Sequence, residues 1–432
     1  MPRFSLDAPL RAPALRCVLL LGLCLGLAGL HPLAAQAPSD PDSLTLREAL
    51  RQHRHPIRVD DNTLRGAGGT WLRDRARDAA VITLGESHAT QEIPALMAAL
   101  LADLQQADAL DVLAIENSPW TTRLMTDRLR AGTDAYDAFI EQHPAAIPFY
   151  NLQTERDLLL QVVRHSSANQ PLWGLDQLFV FSTDVAFNRL EELAPSSAAR
   201  SAVQSVRSAG ASEAASDPRL QNLPSSLPTP LPVYAPAAFD TLRAHFADID
   251  EAQTLLDELA TSATIYRLND TDNYTSNQLR ARYLRENLWR RFEVARSASE
   301  EPPRIVIKVG GFHAYRGRTP NNALDVGNLA VAMAQAMGGE ALNVAVLCGP
   351  GSQSTDFPAG TSDCWPDRLG ADFEALAQDE AVLFDLTALH PMLHDGTLAP
   401  GSDMERILWA FDVIVLIPDA QPALPIAPPT GR

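Results

Sequence analysis

The sequence predicts an α/β fold: a mostly parallel sheet flanked by helices, with a helical insertion over the carboxyl ends of the strands. Three observations carry that expectation. Short apolar runs end repeatedly in chemically capable residues: Ala80-Val81-Ile82-Thr83-Leu84-Gly85 runs into Glu86-Ser87-His88, Val112-Leu113-Ala114-Ile115 into Glu116, Leu172-Trp173-Gly174-Leu175 into Asp176, and Ile305-Val306-Ile307-Lys308-Val309-Gly310-Gly311-Phe312 into His313. Between the first two runs, Ile93, Leu96, Met97, Leu100, Leu101 and Leu104 repeat at helical spacing, and so short a strand, helix and strand unit demands a parallel crossover. Strand-like runs resume at residues 305–309, 342–347, 381–386 and 412–417. In an open parallel sheet the carboxyl ends of neighbouring strands open onto one crevice, so four separated segments converge on one candidate site.

Taken in order, the chain begins with Arg3, Arg11 and Arg16 ahead of an apolar stretch from Cys17 to Leu30, too short for a spanning helix and followed by small residues. This reads as a secretory signal peptide, 1–35, with cleavage after Ala35, and makes the mature protein periplasmic or secreted. No later run is long and apolar enough to cross a bilayer. Residues 36–70, ending in Gly66-Ala67-Gly68-Gly69, read as a polar leader; 71–183 as the first part of the α/β core, with Thr90 a capping candidate for its first helix.

Residues 184–300 change character. Ser196 to Ser216 is rich in Ser and Ala and Leu223 to Pro236 in Pro, both loop or linker compositions, while helical patterning returns at 239–264 and 277–295. The region reads as a helical insertion over the sheet, a lid. Residues 301–418 complete the core, and 419–432 form a Pro-rich tail.

Cys348 and Cys364 remain after signal removal, separated by a Gly/Pro/Ser-rich loop, and in an oxidising compartment such a pair closes a disulfide; the alternative is two buried thiols. The formal charge is −18, and the signal segment contributes three arginines against Asp7, which leaves the mature chain near −20. Such a field repels nucleic acid and anionic membrane surfaces and says little about the reaction; the expected partner is a small-molecule or peptide substrate.

Glu86 and His88 stand two apart between a strand and a helix amino terminus, Glu116 at a strand end, and His313 behind Gly310-Gly311, which allow close backbone approach. Each has a structural alternative as a helix cap or a satisfied core group. Together they suit two chemistries. A neutral imidazole oriented by a carboxylate can deprotonate water for attack on an ester or amide carbonyl, with the second histidine as acid or oxyanion stabiliser. Glu86, His88, Glu116 and His313 can equally ligate a divalent metal that supplies the hydroxide. The absence of a Gly-x-Ser-x-Gly elbow argues against a serine hydrolase. His390 and His394 have i, i+4 spacing, but in a turn-rich segment.

The combination Leu84-Gly85-Glu86-Ser87-His88-Ala89-Thr90-Gln91-Glu92, Ala114-Ile115-Glu116, Trp173-Gly174-Leu175-Asp176-Gln177, Arg280-Ala281-Arg282-Tyr283-Leu284-Arg285-Glu286-Asn287 and Gly310-Gly311-Phe312-His313 resembles the erythromycin esterase-like family. Its superfamily includes haem-binding uptake lipoproteins and Tiki-type metalloproteases. The resemblance implies that Glu86, His88, Glu116 and His313 occupy catalytic or ligand positions, that Arg280 and Asn287 belong to a helix packed near the site, and that Asp176 is a further binding residue. The Gly85-Glu86-Ser87-His88 spacing has the form of the haem-uptake and Tiki branches, and Gly310 stands where macrolide esterases carry the first histidine of a late motif. The resemblance thus implies an exported hydrolase, with a periplasmic haem or metal binding protein and a catalytically inactive interaction module as alternatives.

Overall fold

The computed structural model describes residues 44–221, 223–299, 301–357 and 360–427. The signal segment, its cleavage point, the start of the leader and the last five residues of the tail lie outside the described residues. In chain order the strands are β1 (Arg54–Pro56), β2 (Arg58–Asp60), β3 (Thr63–Arg65), β4 (Val81–Glu86), β5 (Val112–Ile115), β6 (Leu172–Gly174), β7 (Ile305–Gly310), β8 (Ala341–Cys348), β9 (Gln353–Thr355), β10 (Thr361–Asp363), β11 (Val382–Asp385) and β12 (Val413–Ile417). Eight of them form one sheet in the order β1-β11-β12-β8-β4-β7-β5-β6. From β12 to β6 every pairing is parallel. The edge formed by β1 and β11 is antiparallel.

Both faces of this sheet are buried, which is why its strands read as near-continuous apolar runs. Ile82, Leu84, Leu113, Ile115 and Val306 pack on one face against helices Glu92–Gln106 and Gln153–His165. Val81, Ala114, Ile305, Ile307 and Val309 pack on the other, against helices Asn273–Ala298 and Val326–Ala336. The strands β4, β7, β5 and β6 are adjacent, with Glu86 paired to Gly310 and Ile115 to both Lys308 and Gly174. The four strand ends singled out in the sequence are therefore neighbours.

Several segments differ from expectation. The leader is structural from residue 44 onward: helix Leu46–Gln52 starts at a capping box of Thr45 and Glu48, β1 pairs with β11, and β2 and β3 form a hairpin. Its glycine run is the first turn of helix Gly66–Asp78, where close approach needs the missing side chain: a Cβ on Gly68 would lie 2.9 Å from the His55 carbonyl oxygen. Ser196 to Ser216, read as linker, is helix Ser197–Ser216. Alanine's helix propensity outweighs the serines, Ser196 caps the amino end, and Ala199, Val203 and Gly210 at helical spacing supply a buried face. Thr90 does not cap; helix Glu92–Gln106 begins at Gln91 with no side-chain cap, and Thr90 bridges Pro422 instead.

Only part of the insertion stands over the strand ends. Helices Asp250–Thr271 and Asn273–Ala298 form an antiparallel pair whose joint stands over the strand ends, but the second helix buries Leu284, Leu288 and Phe292 against the sheet face and so belongs to the core layer. The tail is not free either. Gln421 accepts from Gln91 N–H, Ala423 N–H donates to the Ala89 carbonyl and Leu424 accepts from Gln153 N–H, so the tail straps the loop that carries His88. Cys348 and Cys364 are disulfide-bonded, with Cα atoms 5.8 Å apart across a separation of 16 residues. Among the described residues no helix is long and apolar enough to cross a membrane.

Candidate active site

The loop after β4, the loop after β5, the loop after β6 and the turn after β7 deliver His88, Glu116, Asp176 and His313 to one cavity of about 160 Å³, with Glu86, the last residue of β4, buried behind His88. Glu86 Oε1 accepts from His88 Nδ1 at 2.9 Å, which orients the imidazole and leaves Nε2 facing Glu116 Oε2 at 3.6 Å. The ring stacks on Phe149, centroids 4.0 Å apart. On the other side His313 Nδ1 is 2.7 Å from Asp325 Oδ2, and its Nε2 lies 3.4 Å from Glu116 Oε1. Two imidazoles, each held through Nδ1 by its own carboxylate, thus present Nε2 to the same glutamate.

Glu116 is itself fixed. Its Oε2 accepts the Gly310 N–H at 2.5 Å and its Oε1 accepts from Arg280 at 2.7 Å. Gly310 is required there: a Cβ on it would lie 2.7 Å from His88 Nε2. Arg280 also grips Asp176, with Nε to Oδ1 at 3.0 Å and a terminal nitrogen to Oδ2 at 2.5 Å. Asn287 stands one layer back, its Nδ2 donating to the Leu175 carbonyl at 2.8 Å, so it places Asp176 and does not line the cavity.

The sequence reading missed four supports. Lys308, 1% exposed, sits on β7 among apolar neighbours and donates to Glu86 Oε1 at 2.5 Å and to Glu155 Oε1 at 2.9 Å. A lysine inside a buried strand run was the available signal for it. Glu155 lies in helix Gln153–His165, Asp325 caps helix Val326–Ala336, and Phe149, with φ of 65°, comes from the loop before that first helix. Those three carry no distinctive local pattern. His390 and His394 are remote; His390 bonds the Leu408 carbonyl and stacks on Trp409.

Burial opposes charge on His313, but Asp325 and Glu116 outweigh it and raise its pKa well above the usual histidine value. His88 is raised as well: burial opposes this, the Glu86 hydrogen bond and the Glu116 charge overcome it, and Lys308 works against them. Burial disfavours the Glu116 carboxylate, yet His313, His88 and Arg280 hold it well below the ordinary range. Glu155 is pushed up to about 7 by burial, against the Lys308 charge.

These residues do not fit a metal centre. Among the described residues no group of three or more His, Cys, Asp or Glu side chains is arranged to hold an ion. The Arg280 guanidinium and the Lys308 ammonium occupy the carboxylate positions a cation would need. A haem does not fit either, since about 160 Å³ falls short of the roughly 300–1,000 Å³ typical of small-molecule pockets. A larger groove of about 1350 Å³ runs between the helical pair and the amino ends of β5 and β7; of the candidate site residues only Asn287 lines it.

No family model and no curated protein matches this sequence. Solved structures do match its fold. A histidine-to-asparagine mutant of the erythromycin esterase EreC, in its open conformation, superposes with a TM-score of 0.54 over 82% of this chain and 94% of that one, at 13% identity. This chain has the erythromycin esterase fold. A Bacillus cereus protein shares that fold with a TM-score of 0.57, 12% identity and coverage of 88% and 98%. A succinoglycan biosynthesis protein shares it at 0.53, 12% identity and coverage of 88% and 97%. In all three the match runs over nearly the whole partner chain and over 82–88% of this one.

Proposed function

We propose that this protein is a hydrolase of ester or amide bonds that activates water with His88. The observation that carries the reading is the pair of imidazoles, each bound through Nδ1 to a carboxylate and each presenting Nε2 within 3.6 Å of Glu116 in a buried cavity. In the reaction, neutral His88 takes a proton from water through Nε2 as the oxygen attacks the carbonyl carbon. His313, held as imidazolium, donates from Nε2 to the developing oxyanion and then to the leaving group. Glu86 keeps the His88 tautomer, and Glu116, charge-compensated by Arg280, orients the water between the two rings. The likeness of the fold to an erythromycin esterase supports hydrolysis without naming the substrate.

The cavity volume favours a small acyl or alkoxy group over an enclosed macrocycle. Export belongs to the proposal: the amino-terminal segment has signal-peptide character and Cys348 and Cys364 form a disulfide. Purified mature protein should cleave a panel of small esters with loss of about 10²–10⁴-fold on His88→Ala or His313→Ala, while both variants keep a cooperative melt. Retention of full activity by either variant sinks the reading.

A further inference from the structure

We infer that the substrate is an ester of a neutral, hydroxyl-rich unit of monosaccharide size, recognised by the side-chain amides of Gln177, Asn269 and Asn321. The inference rests on the hydrolase reading and adds the substrate class to it. Gln177 lines the cavity and is 7% exposed, yet its Oε1 has no hydrogen-bond partner among the described residues. A buried amide oxygen in that state carries the penalty of an unmade hydrogen bond, which a ligand donor removes. Asn321 donates its Nδ2 to Asn277 Oδ1 at 3.2 Å, and its own oxygen is unengaged among the described residues. Asn269 accepts through Oδ1 from Asn273 at 2.8 Å, which leaves its Nδ2 unengaged there.

These three amides therefore offer two acceptors and a donor, all neutral. A hydroxyl both donates and accepts, so a polyol satisfies all three. An ionised carboxylate only accepts and leaves both oxygens unpaired; an ammonium only donates and leaves Asn269 unpaired. The cations that line the cavity are each paired with carboxylates, Arg280 with Asp176 and Glu116 and the His313 imidazolium with Asp325 and Glu116, so none is left over for an anionic substrate group. Phe149 and Phe179 supply ring surface for the C–H face of a sugar. The volume of about 160 Å³ limits the unit inside the cavity to a single ring. In the reaction the ester C–O bond breaks, the water oxygen stays on the acid product, and the sugar oxygen leaves with the His313 proton.

The test compares a monoacetylated glucose with hexyl acetate, an ester with the same carbon count and no free hydroxyls. The expected result is a kcat/KM preference of about tenfold or more for the sugar ester, collapsing through KM in Gln177→Leu and in Asn321→Leu, the second a half-buried position that keeps the test alive if the first misfolds. Cleavage of both esters without preference, or a preference surviving both substitutions, overturns the inference and leaves the hydrolase reading standing. If neither ester is cleaved, the hydrolase reading fails and saturation-transfer NMR with methyl glucoside decides: saturable binding lost in the two variants sustains the polyol site, and no binding overturns it.

Discussion

Glu258 gives a sharp test of how burial sets charge next to the site. It is 3% exposed on helix Asp250–Thr271, and its Oε2 accepts the Trp120 N–H at 3.3 Å, at the start of the helix that follows Glu116-Asn117-Ser118. Its Oε1 has no partner among the described residues. Burial pushes the carboxyl from 4.5 up to about 7, against the hydrogen bonds from Trp120 and Ser118 and the charges of Arg123 and Arg291. Below the ordinary value the group is neutral folded and unfolded. As pH rises from 4.5 to about 7 the unfolded chain releases the proton and the folded one keeps it, so stability falls with pH and the cost is complete above about 7. Each tenfold change in proton affinity is about 1.4 kcal/mol, which makes the cost roughly 3 kcal/mol. Glu258→Gln keeps the acceptor for Trp120 and has no proton to lose. Urea denaturation of both proteins between about pH 5 and pH 8 should show the variant gaining up to roughly 3 kcal/mol over wild type at the alkaline end and little at the acid end. A difference independent of pH, or a variant less stable at pH 8, refutes the reasoning.

Further outcomes follow from the same geometry. The kcat/KM profile should be bell-shaped with its acid limb above the ordinary histidine value, because His88 must lose a raised proton, and Glu86→Gln should move that limb to lower pH; an unmoved limb would assign it to another group. Lys308→Met leaves Glu86 and Glu155 buried without their shared cation, at a cost of about 3–5 kcal/mol that Lys308→Met/Glu155→Gln should partly recover in thermal melts. Gly310→Ala pushes a methyl into His88 Nε2 and should lower kcat by about 100-fold with little change in fold, since ångström displacements at a reacting group have effects of that order. Reduction of Cys348–Cys364 should lower stability by about 3 kcal/mol for a loop of this length and loosen the hairpin through which Thr355 N–H holds the Ala89 carbonyl, read as faster amide exchange at residues 87–90.

The sheet was legible because a strand buried on both faces must be apolar along its length, so each polar residue at its end stood out: Glu86, Glu116, Asp176 and His313 were all found this way. What failed to show were groups whose meaning depends on partners distant in sequence. Asp325 is an ordinary helix cap until His313 is seen beside it, and Glu155 is an ordinary first-turn glutamate until Lys308 arrives from a strand 153 residues away. The serine- and alanine-rich helix was misread because composition reports propensity and not the packing that Ala199 and Val203 provide. The tail was legible as Pro-rich but its docking was not, because proline donates no N–H while its carbonyl still accepts, as those of Pro422 and Pro425 do from the Gln91 and Gln153 side chains.

The two histidines are chemically alike and the chain makes them unlike. His88 shares Glu86 with Lys308, and that ammonium, 2.5 Å from the same oxygen, offsets part of the carboxylate's pull. His313 has Asp325 to itself and faces Glu116, with Arg280 as the named opposing charge. The result is one imidazole raised and the other raised well above the usual value, so that on raising the pH His88 releases its proton first. Pairs of titratable groups driven apart by their surroundings divide acid from base. Lys308, buried behind Glu86, adds to the difference between the two rings, and replacing it should narrow the pH range over which one ring is neutral while the other is charged.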